Sequence, residues 1–283
     1  SVKTRILIAA ALTAALLTAA LPASALFLDQ EETSPTVLDV VKNGMATETI
    51  AFQSSDFVVE GEGALDAIVI TQLPQEGVLT LGGQMVGEGD VIAMTAVDGL
   101  RFTPSVAPTA LETSFTFQPL FAGGEPGQEA GVEVHLLTEA NGAPVAENLE
   151  LSTYKNVAVT DRFSAVDPEG DLLTYRLVKK PARGSVTIGE DGQFVYTPYE
   201  NKTGKDSFTY IAMDTVGNAS DPATVKVKIE KPDTKVTYAD LSGHPAHKAA
   251  IRLAEEGVFV GECMGGEYFF QPGAAVTRSE FVA

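Results

Sequence analysis

Apolar and polar residues alternate through the middle of the chain, which predicts short β-strands. The run Val225-Lys-Val-Lys-Ile229 has a period of two, which is typical of a strand with one buried face and one solvated face. Asp191-Gly192 separates two further apolar runs and favours a hairpin, because glycine accepts the positive φ of a tight turn. Strands at roughly ten-residue spacing, with no helical period among them, predict a β-sandwich over residues 143–230.

The same order of segments occurs a second time, upstream. Gly184–Ile188, Phe194–Thr197 and Ser207–Tyr210 are matched by Gly77–Leu81, Leu100–Thr103 and Ser114–Phe117. We therefore predict a more divergent sandwich over residues 36–138. Four glycines between Gly82 and Gly89 predict a longer loop in this copy, and the acidic stretch from Phe121 to Gly131 predicts another loop.

A helical period replaces the alternation after a short linker at residues 231–236. The apolar stripe of this predicted helix consists of Ala246, Ala250, Leu253 and Ala254, with Ile251 beside it. Pro245 suits the first helical position, and Ser242 is a candidate cap just upstream. Gly257 is expected to end the helix. The chain is thus predicted to be mainly β, with two sandwiches in tandem followed by a small helical unit.

The first 25 residues have the pattern of an export signal. Lys3 and Arg5 precede an apolar run from Ile6 to Leu21, and Ala23-Ser-Ala25 offers the small residues that a signal peptidase reads. A retained membrane anchor is the alternative interpretation. The apolar run is shorter than the ~20 residues that a helix needs to cross a bilayer. We therefore favour cleavage after Ala25, with no membrane association afterwards.

Composition excludes several classes of function. The 283 residues carry a formal net charge of −19, which argues against nucleic acid or anionic lipid as a partner. The single cysteine, Cys263, excludes an intrachain disulfide framework, so hydrophobic cores must stabilise the exported protein. Three histidines, without a recognisable nucleophile motif, phosphate-binding loop or metal-ligand motif, argue against an enzyme.

The downstream repeat resembles the immunoglobulin-like and cadherin-like repeats of bacterial surface proteins. The resemblance rests on Ala143-Pro-Val-Ala146, Asp167-Pro-Glu-Gly-Asp171, Tyr196-Thr-Pro198 and Gly204-Lys-Asp-Ser-Phe-Thr-Tyr210 followed by Asp214. It implies a spacer or adhesive role without catalysis.

Acidic residues of this repeat are candidate calcium ligands. Asp167, Glu169 and Asp171 lie two residues apart on a glycine-containing turn, and Asp214 falls in a later turn. Clustered carboxylates on inter-strand loops can supply the roughly six to eight oxygens that calcium requires. Related cadherin-like repeats bind calcium at domain junctions, so the resemblance implies calcium as a cofactor. The alternative is that Asp, Pro and Gly simply form turns, in which the Asp side chains accept backbone amides.

The C-terminal segment, residues 237–283, resembles an S-layer homology (SLH) unit. Its landmarks occur in the order of that family: Tyr238-x-Asp240, Ala250-Ile-x-Leu253, Gly261, Phe270-x-Pro272 and Thr277-Arg-x-Glu280. Thr277 and Glu280 form a capping box, which predicts the start of a second helix. His244-Pro245-Ala246 departs from the family, which has an aromatic residue there. The resemblance implies binding to a wall polysaccharide that carries a pyruvate ketal.

Within this unit Arg278 is the first candidate ligand for the ketal carboxylate. It stands at the positive end of the second predicted helix, where a cation is unfavourable by roughly 0.3–1 kcal/mol, and its guanidinium fits a carboxylate. Asp240 would bond sugar hydroxyls or brace Arg278, Gly261 would allow close approach, and Thr277 and Glu280 complete the predicted surface. An ion pair between Arg278 and a surface acid is the alternative.

These expectations describe a non-catalytic, secreted bacterial surface protein that is held on the cell wall or S-layer. SLH units usually work in threes, so we expect the chain to be a fragment followed by further units in cis, or completed by units in trans. An anchor-and-spacer fragment of a surface exoenzyme is one alternative function. An adhesin whose β repeats bind neighbouring cells is another.

Overall fold

The computed structural model describes residues 34–274. The predicted export segment and the predicted ligands Thr277, Arg278 and Glu280 lie outside these residues, as does the predicted second helix. Within residues 34–274 the chain is mainly β, with a single short α-helix near the end. This confirms the fold class predicted from the sequence.

The first sandwich contains twelve strands and two single-turn 3-10 helices, at Ser54–Asp56 and Val97–Gly99. The strands are β1 (Thr36–Val37), β2 (Val40–Met45), β3 (Ile50–Ala51), β4 (Val59–Glu60), β5 (Leu65–Gln72), β6 (Val78–Leu81), β7 (Gln84–Met85), β8 (Val91–Ala93), β9 (Leu100–Thr103), β10 (Glu112–Phe121), β11 (Glu125–Pro126) and β12 (Ala130–Leu137).

Two sheets enclose the core of this sandwich. One has the strand order β2-β12-β10-β5-β8, with β11 paired to β10, and the other has the order β3-β9-β6-β7. The short strands β1 and β4 form a separate ladder. Strand β2 runs parallel to β12, and the other neighbours are antiparallel. Phe102 of one sheet and Phe115 and Phe117 of the other are fully buried, because their strands alternate inward apolar residues with outward polar ones.

The second sandwich repeats this topology with fewer strands: β13 (Val145–Ala146), β14 (Leu149–Tyr154), β15 (Val159–Arg162), β16 (Ala165–Val166), β17 (Thr174–Lys179), β18 (Gly184–Ile188), β19 (Gln193–Pro198), β20 (Gly204–Met213) and β21 (Ala223–Glu230). Its sheets are β14-β21-β20-β17 and β15-β19-β18, with β13 paired to β16. Strand β14 is parallel to β21, as β2 is to β12. The predicted hairpin at Asp191-Gly192 joins β18 to β19, and Gly192 has φ +78°.

Both predicted loops of the first sandwich are shorter than the sequence suggested. The glycine-rich stretch after Leu81 contains β7, which folds back on β6, and β8 then extends the other sheet. The stretch from Phe121 to Gly131 contains β11 and the start of β12. Gly123 and Gly124 both adopt positive φ, so the chain reverses within three residues and the flanking backbone pairs instead of looping out.

The glycine that opens the repeated motif has the same role in both sandwiches. A Cβ on Gly77 would lie 2.6 Å from the ring of Phe102, and one on Gly184 would lie 2.7 Å from the ring of Tyr196. Each ring belongs to the paired strand. The motif recurs because a large buried aromatic residue needs a neighbour without a side chain.

A second correspondence between the two sandwiches concerns the residue just before the third matched segment, which is Asp206 in one and Thr113 in the other. In the second sandwich Asp206 accepts hydrogen bonds from the Tyr196 hydroxyl at 2.7 Å and from the amides of Ala182, Arg183 and Ser207 at 3.0, 2.9 and 2.9 Å. In the first sandwich Thr113 takes this place and accepts the amide of Glu76 at 3.3 Å. The chain thus holds the loop before β6 or β18 to the long strand β10 or β20 in both copies.

Stacked aromatic residues fill the second core. The ring of Phe163 lies 4.4 Å from that of Phe194 and 4.1 Å from that of Tyr210, centroid to centroid. The Tyr210 hydroxyl lies 2.6 Å from the carbonyl oxygen of Glu147 and 2.9 Å from that of Ser164, and its single proton is shared between them. Tyr210, in the central strand β20, is therefore bonded to the segments that follow β13 and β15.

The C-terminal segment comprises α1 (His247–Glu255) and a hairpin of β22 (Glu262–Met264) and β23 (Glu267–Phe269). The helix buries Ala250, Ile251 and Ala254, and Gly257 follows it with φ +68°, as predicted. The predicted start is wrong, because α1 begins two residues after Pro245 and has no side-chain cap from Ser242. The chain first makes a turn, in which the amide of His244 donates to the carbonyl of Leu241, and so position 242 lies too far upstream.

Candidate functional site

Three carboxylates of the second sandwich meet at one end of its sheets. Asp167 follows β16, Asp171 precedes β17, and Asp214 follows β20. One oxygen of each lies within 4.8 Å of the others. These are three of the four predicted calcium ligands. Because antiparallel strands bring their loops to common ends of a sandwich, residues far apart in sequence converge here.

Glu169 does not join this cluster, although the sequence placed it there. Oδ1 of Asp167 accepts the amides of Glu169 and Asp171 at 3.0 and 2.9 Å, which folds the turn so that residues 167 and 171 face the same side. Glu169 lies at the exposed tip of this turn, and its Oε2 accepts the amide of Gly142 at 3.0 Å. Asp167 therefore accepts backbone amides of its own turn, as the alternative interpretation expected, and also belongs to the carboxylate cluster.

The oxygens that remain fit a divalent cation. Oδ2 of Asp167 is buried and has no hydrogen-bond partner among residues 34–274, while Asp214 is only 6% exposed. Grouping three carboxylates with one unpaired buried oxygen costs free energy, from repulsion and from lost solvation. A hard cation such as Ca²⁺ would remove both costs, and its ligands would be Asp167, Asp171 and Asp214.

Two asparagines bridge the carboxylates. Nδ2 of Asn141 donates to Oδ2 of Asp171 at 2.9 Å, and Nδ2 of Asn218 donates to Oδ2 of Asp214 at 2.8 Å. The same Nδ2 of Asn218 lies 2.7 Å from Oδ1 of Asn141, so the two bridges are connected. Sequence analysis missed both asparagines. The only local signal was their position beside glycine, in the segments Asn141-Gly142 and Gly217-Asn218.

The cluster also adjoins the first sandwich. Nδ2 of Asn43, on β2, donates to Oδ1 of Asn218 at 2.7 Å and to the carbonyl of Val216 at 3.0 Å. Gly217 has φ +91°, and a Cβ there would lie 2.4 Å from the carbonyl oxygen of Val41. The loop that carries Asp214 therefore forms the junction between the two sandwiches. No local sequence feature marked Asn43.

In the C-terminal unit, two predicted polysaccharide ligands have partners within the chain. Oδ1 and Oδ2 of Asp240 accept the amides of Phe270 and Gln271 at 3.0 and 2.7 Å. The Phe270 amide has the largest effect on the pKa of Asp240, and together with the Gln271 amide it keeps that pKa below its usual value, although burial opposes them. A Cβ on Gly261 would lie 2.3 Å from the carbonyl oxygen of Phe269, so the close approach there is by the chain itself.

The C-terminal unit packs on the second sandwich. Tyr154 and Val157 share one hydrophobic cluster with Tyr238, Leu241 and Ile251. The hydroxyl of Tyr154 donates to Oε2 of Glu255 at 2.5 Å, and Oε1 of that residue accepts the amide of Asp233 at 2.7 Å. The Glu255 carboxylate of α1 thereby binds both the second sandwich and the linker.

Among residues 34–274, no helix has the length and apolar content that a membrane span requires. The lone thiol, Cys263, is exposed.

The second sandwich matches a known family. A family model described as the bacterial cadherin-like domain matches residues 141–231, which is the second sandwich. This part of the chain is therefore similar to immunoglobulin-like, cadherin-like domains, and such a domain fits a non-catalytic adhesive or spacer module. Among curated proteins none matches the chain.

Several solved structures are similar in architecture. Human protocadherin-24 EC1-2 is 15% identical with a TM-score of 0.29, over 70% of this chain and 98% of that one. Fibronectin(III)-like modules of CbhA from Clostridium thermocellum are 13% identical with a TM-score of 0.28, over 72% and 98%. An endo-fucoidan hydrolase of glycoside hydrolase family 107 is 21% identical with a TM-score of 0.28, over 70% of this chain. The match spans only 29% of that hydrolase. At such TM-scores none of these similarities supports an inference about ligand or activity.

Proposed function

We propose that this chain is an exported, non-catalytic surface protein whose two sandwiches serve as a spacer or adhesive module. The observation that carries the proposal is the repeated sandwich topology with a bonded junction, in which Asn43 of one sandwich contacts the Asp214 loop of the other. A module that keeps two sandwiches in a fixed relation suits the display of a surface at a distance. The cadherin-like match of the second sandwich supports the same role.

Calcium binding at the junction is part of this proposal. Asp167, Asp171 and Asp214 would hold the ion, which would supply positive charge to the unpaired Oδ2 of Asp167. The Asp214 carboxylate also orders its own loop, because its Oδ1 accepts the amides of Val216 and Asn218 at 3.0 and 2.8 Å. Neutralising the cluster would therefore stiffen the loop that contacts the first sandwich.

The test is a calorimetric titration of calcium into the chelator-stripped full chain. We expect one equivalent to bind and the thermal midpoint to rise, because an ion that binds only the folded state stabilises it. Asp214→Asn should abolish both effects, whereas Asp221→Asn, an exposed acid outside the cluster, should change neither. Absence of binding heat at millimolar calcium in the unaltered chain would refute calcium as a ligand.

We further propose that the C-terminal unit binds an anionic wall polysaccharide, as its SLH resemblance implies. Arg278 would take the ketal carboxylate, with Thr277 and Glu280 capping the helix that presents it. Asp240 and Gly261 would shape the site from behind, since both hold the segment that leads towards it. Further SLH units, in cis or in trans, would complete the surface.

Co-sedimentation with purified bacterial walls tests this second element. The chain, extended through any following units, should sediment with intact walls and stay in solution when the polysaccharide has been removed. Arg278→Ala should release it. The matched control is Arg252→Ala on α1, where the guanidinium Nε contacts Glu256 Oε1 at 2.6 Å and has no proposed role in binding. Equal sedimentation of the Arg278 variant would show that the site is elsewhere.

A further inference from the structure

A second group of metal-ligating side chains lies on the outer face of the first sandwich. Glu133 and His135 are two residues apart on β12, so they share the face opposite the buried Val132 and Val134. Glu112, on the neighbouring strand β10, is the antiparallel partner of His135. Directly opposed residues have Cβ atoms roughly 4.5–5.5 Å apart, and this register brings the three side chains together.

Their ligand atoms are close enough to share one ion. One carboxylate oxygen of each glutamate and one ring nitrogen of His135 all lie within 4.8 Å of one another. Nε2 of His135 lies 2.7 Å from Oε1 of Glu133. Nε2 is buried, and its geometry towards the other residues in the described range 34–274 is not that of a hydrogen bond. The His135 side chain as a whole is 17% exposed.

Two features of this cluster favour a bound cation. Two carboxylates stand at one place on a sheet of a chain that is already strongly acidic, and a covered ring nitrogen remains without a hydrogen bond. Both are unfavourable when no cation is present. Glu112 also lines a groove of about 530 Å³.

We propose that Glu112, Glu133 and His135 bind a divalent transition-metal ion of the Zn²⁺ class. An imidazole nitrogen with two carboxylate oxygens suits a borderline cation, whereas calcium prefers ligands that are all oxygen. The three protein ligands leave a further position for water from the groove. The ion would join β10 to β12 across the sheet.

This site is independent of the carboxylate cluster at the junction, although the two are near along the sheet. His135 is the register partner of Asn43 on β2, and Asn43 bonds the Asp214 loop. The ligand chemistry nevertheless differs, because the junction cluster contains no nitrogen ligand. Saturating calcium should therefore leave the transition-metal site available.

The test is a titration of Zn²⁺ into the chelator-stripped full chain with millimolar calcium present throughout. We expect one equivalent to bind in the unaltered chain and none in His135→Gln. Glu112→Gln should weaken binding by at least roughly tenfold, because even the loss of an outer-shell partner of a metal ligand typically has an effect of that size. Co²⁺ in place of Zn²⁺ should give visible d–d absorption that His135→Gln removes, and circular dichroism should show that the variant is folded.

The control is the double variant His244→Gln with Cys263→Ser, which removes other zinc-binding side chains from the C-terminal unit. This double variant should still bind one equivalent of Zn²⁺ with unchanged affinity. Full binding by His135→Gln, or loss of binding in the double variant, would overturn the assignment. Zinc that binds only when calcium is left out, and that Asp214→Asn no longer binds, would place the ion at the junction instead and would equally overturn the assignment. Weak binding of several equivalents that no variant alters would mean adventitious ions only.

Discussion

Replacement of Asp206 by asparagine should destabilise the second sandwich more than any change at an exposed acid. Asp206 accepts four hydrogen bonds, two on each carboxylate oxygen, and three come from backbone amides. Asparagine keeps the shape and one of the two acceptors. The least harmful orientation directs its NH₂ group at the Arg183 amide and the Tyr196 hydroxyl, because the hydroxyl can rotate and accept.

The expected cost follows from this count. In that orientation the Arg183 amide loses its acceptor, and the three remaining hydrogen bonds no longer end on a charged group. A hydrogen bond to a charged group contributes roughly 1.5–3 kcal/mol, against about 1 kcal/mol for a neutral one. We therefore expect Asp206→Asn to lower the free energy of unfolding by about 2–4 kcal/mol at neutral pH.

This cost should depend on pH in a defined direction. Burial raises the pKa of Asp206, but the Tyr196 hydroxyl and the three amides outweigh burial, so that the pKa lies below its usual value. A group with a lowered pKa in the folded state stabilises the fold above its unfolded pKa of about 3.9, and this contribution is lost as pH falls through the folded value. The difference between the two proteins should shrink accordingly below about pH 4. Tyr196 stays a donor throughout, since burial and then Asp206 raise its pKa.

Urea unfolding, followed by circular dichroism from neutral pH down to about pH 3, measures both effects. Asp221→Asn serves as the control and should change stability by no more than about 0.5 kcal/mol, because its side chain is exposed. A loss below about 1 kcal/mol for Asp206→Asn would refute the hydrogen-bond account. A loss that is the same at all pH values would refute the electrostatic part.

Three further changes test other contacts. Tyr210→Phe should cost about 1–2 kcal/mol in urea unfolding, because the carbonyl oxygens of Glu147 and Ser164 lose their shared donor; an unchanged midpoint would exclude that role. Gly184→Ala should cost at least roughly 1–3 kcal/mol, since its Cβ would lie 2.7 Å from an aromatic ring, whereas Gly273→Ala meets open space and should be neutral by the same measurement. Tyr154→Phe should speed proteolysis of the linker before α1 without altering the first sandwich, because it removes the bond to Glu255; unchanged cleavage would mean that apolar packing alone holds the unit.

Local patterns in the sequence were sufficient for the sandwich fold. The alternation in Val225–Ile229 predicted which side chains are buried, and Asp191-Gly192 predicted a hairpin that the structure contains. The repeated glycine–aromatic motif identified two copies, and the structure gives both the same topology. Such features are readable because strand periodicity and turn chemistry depend on neighbours within a few residues. Loop lengths were harder to predict from the sequence, since a glycine pair such as Gly123 and Gly124 is equally compatible with a tight turn and with a long loop.

The arrangement of the sites was decided by tertiary structure. Asp167 and Asp171 meet Asp214, whereas Glu169 lies at the exposed tip of the turn, where its Oε2 accepts the amide of Gly142 from another segment. Asn43 meets Asn218 across 175 residues, and Glu112 meets His135 through strand register. Register and loop convergence arise from burying two sheets against each other. Sequence by itself therefore determined which segments become strands and which of their faces are apolar, whereas only the packing of those strands decided which polar side chains stand together.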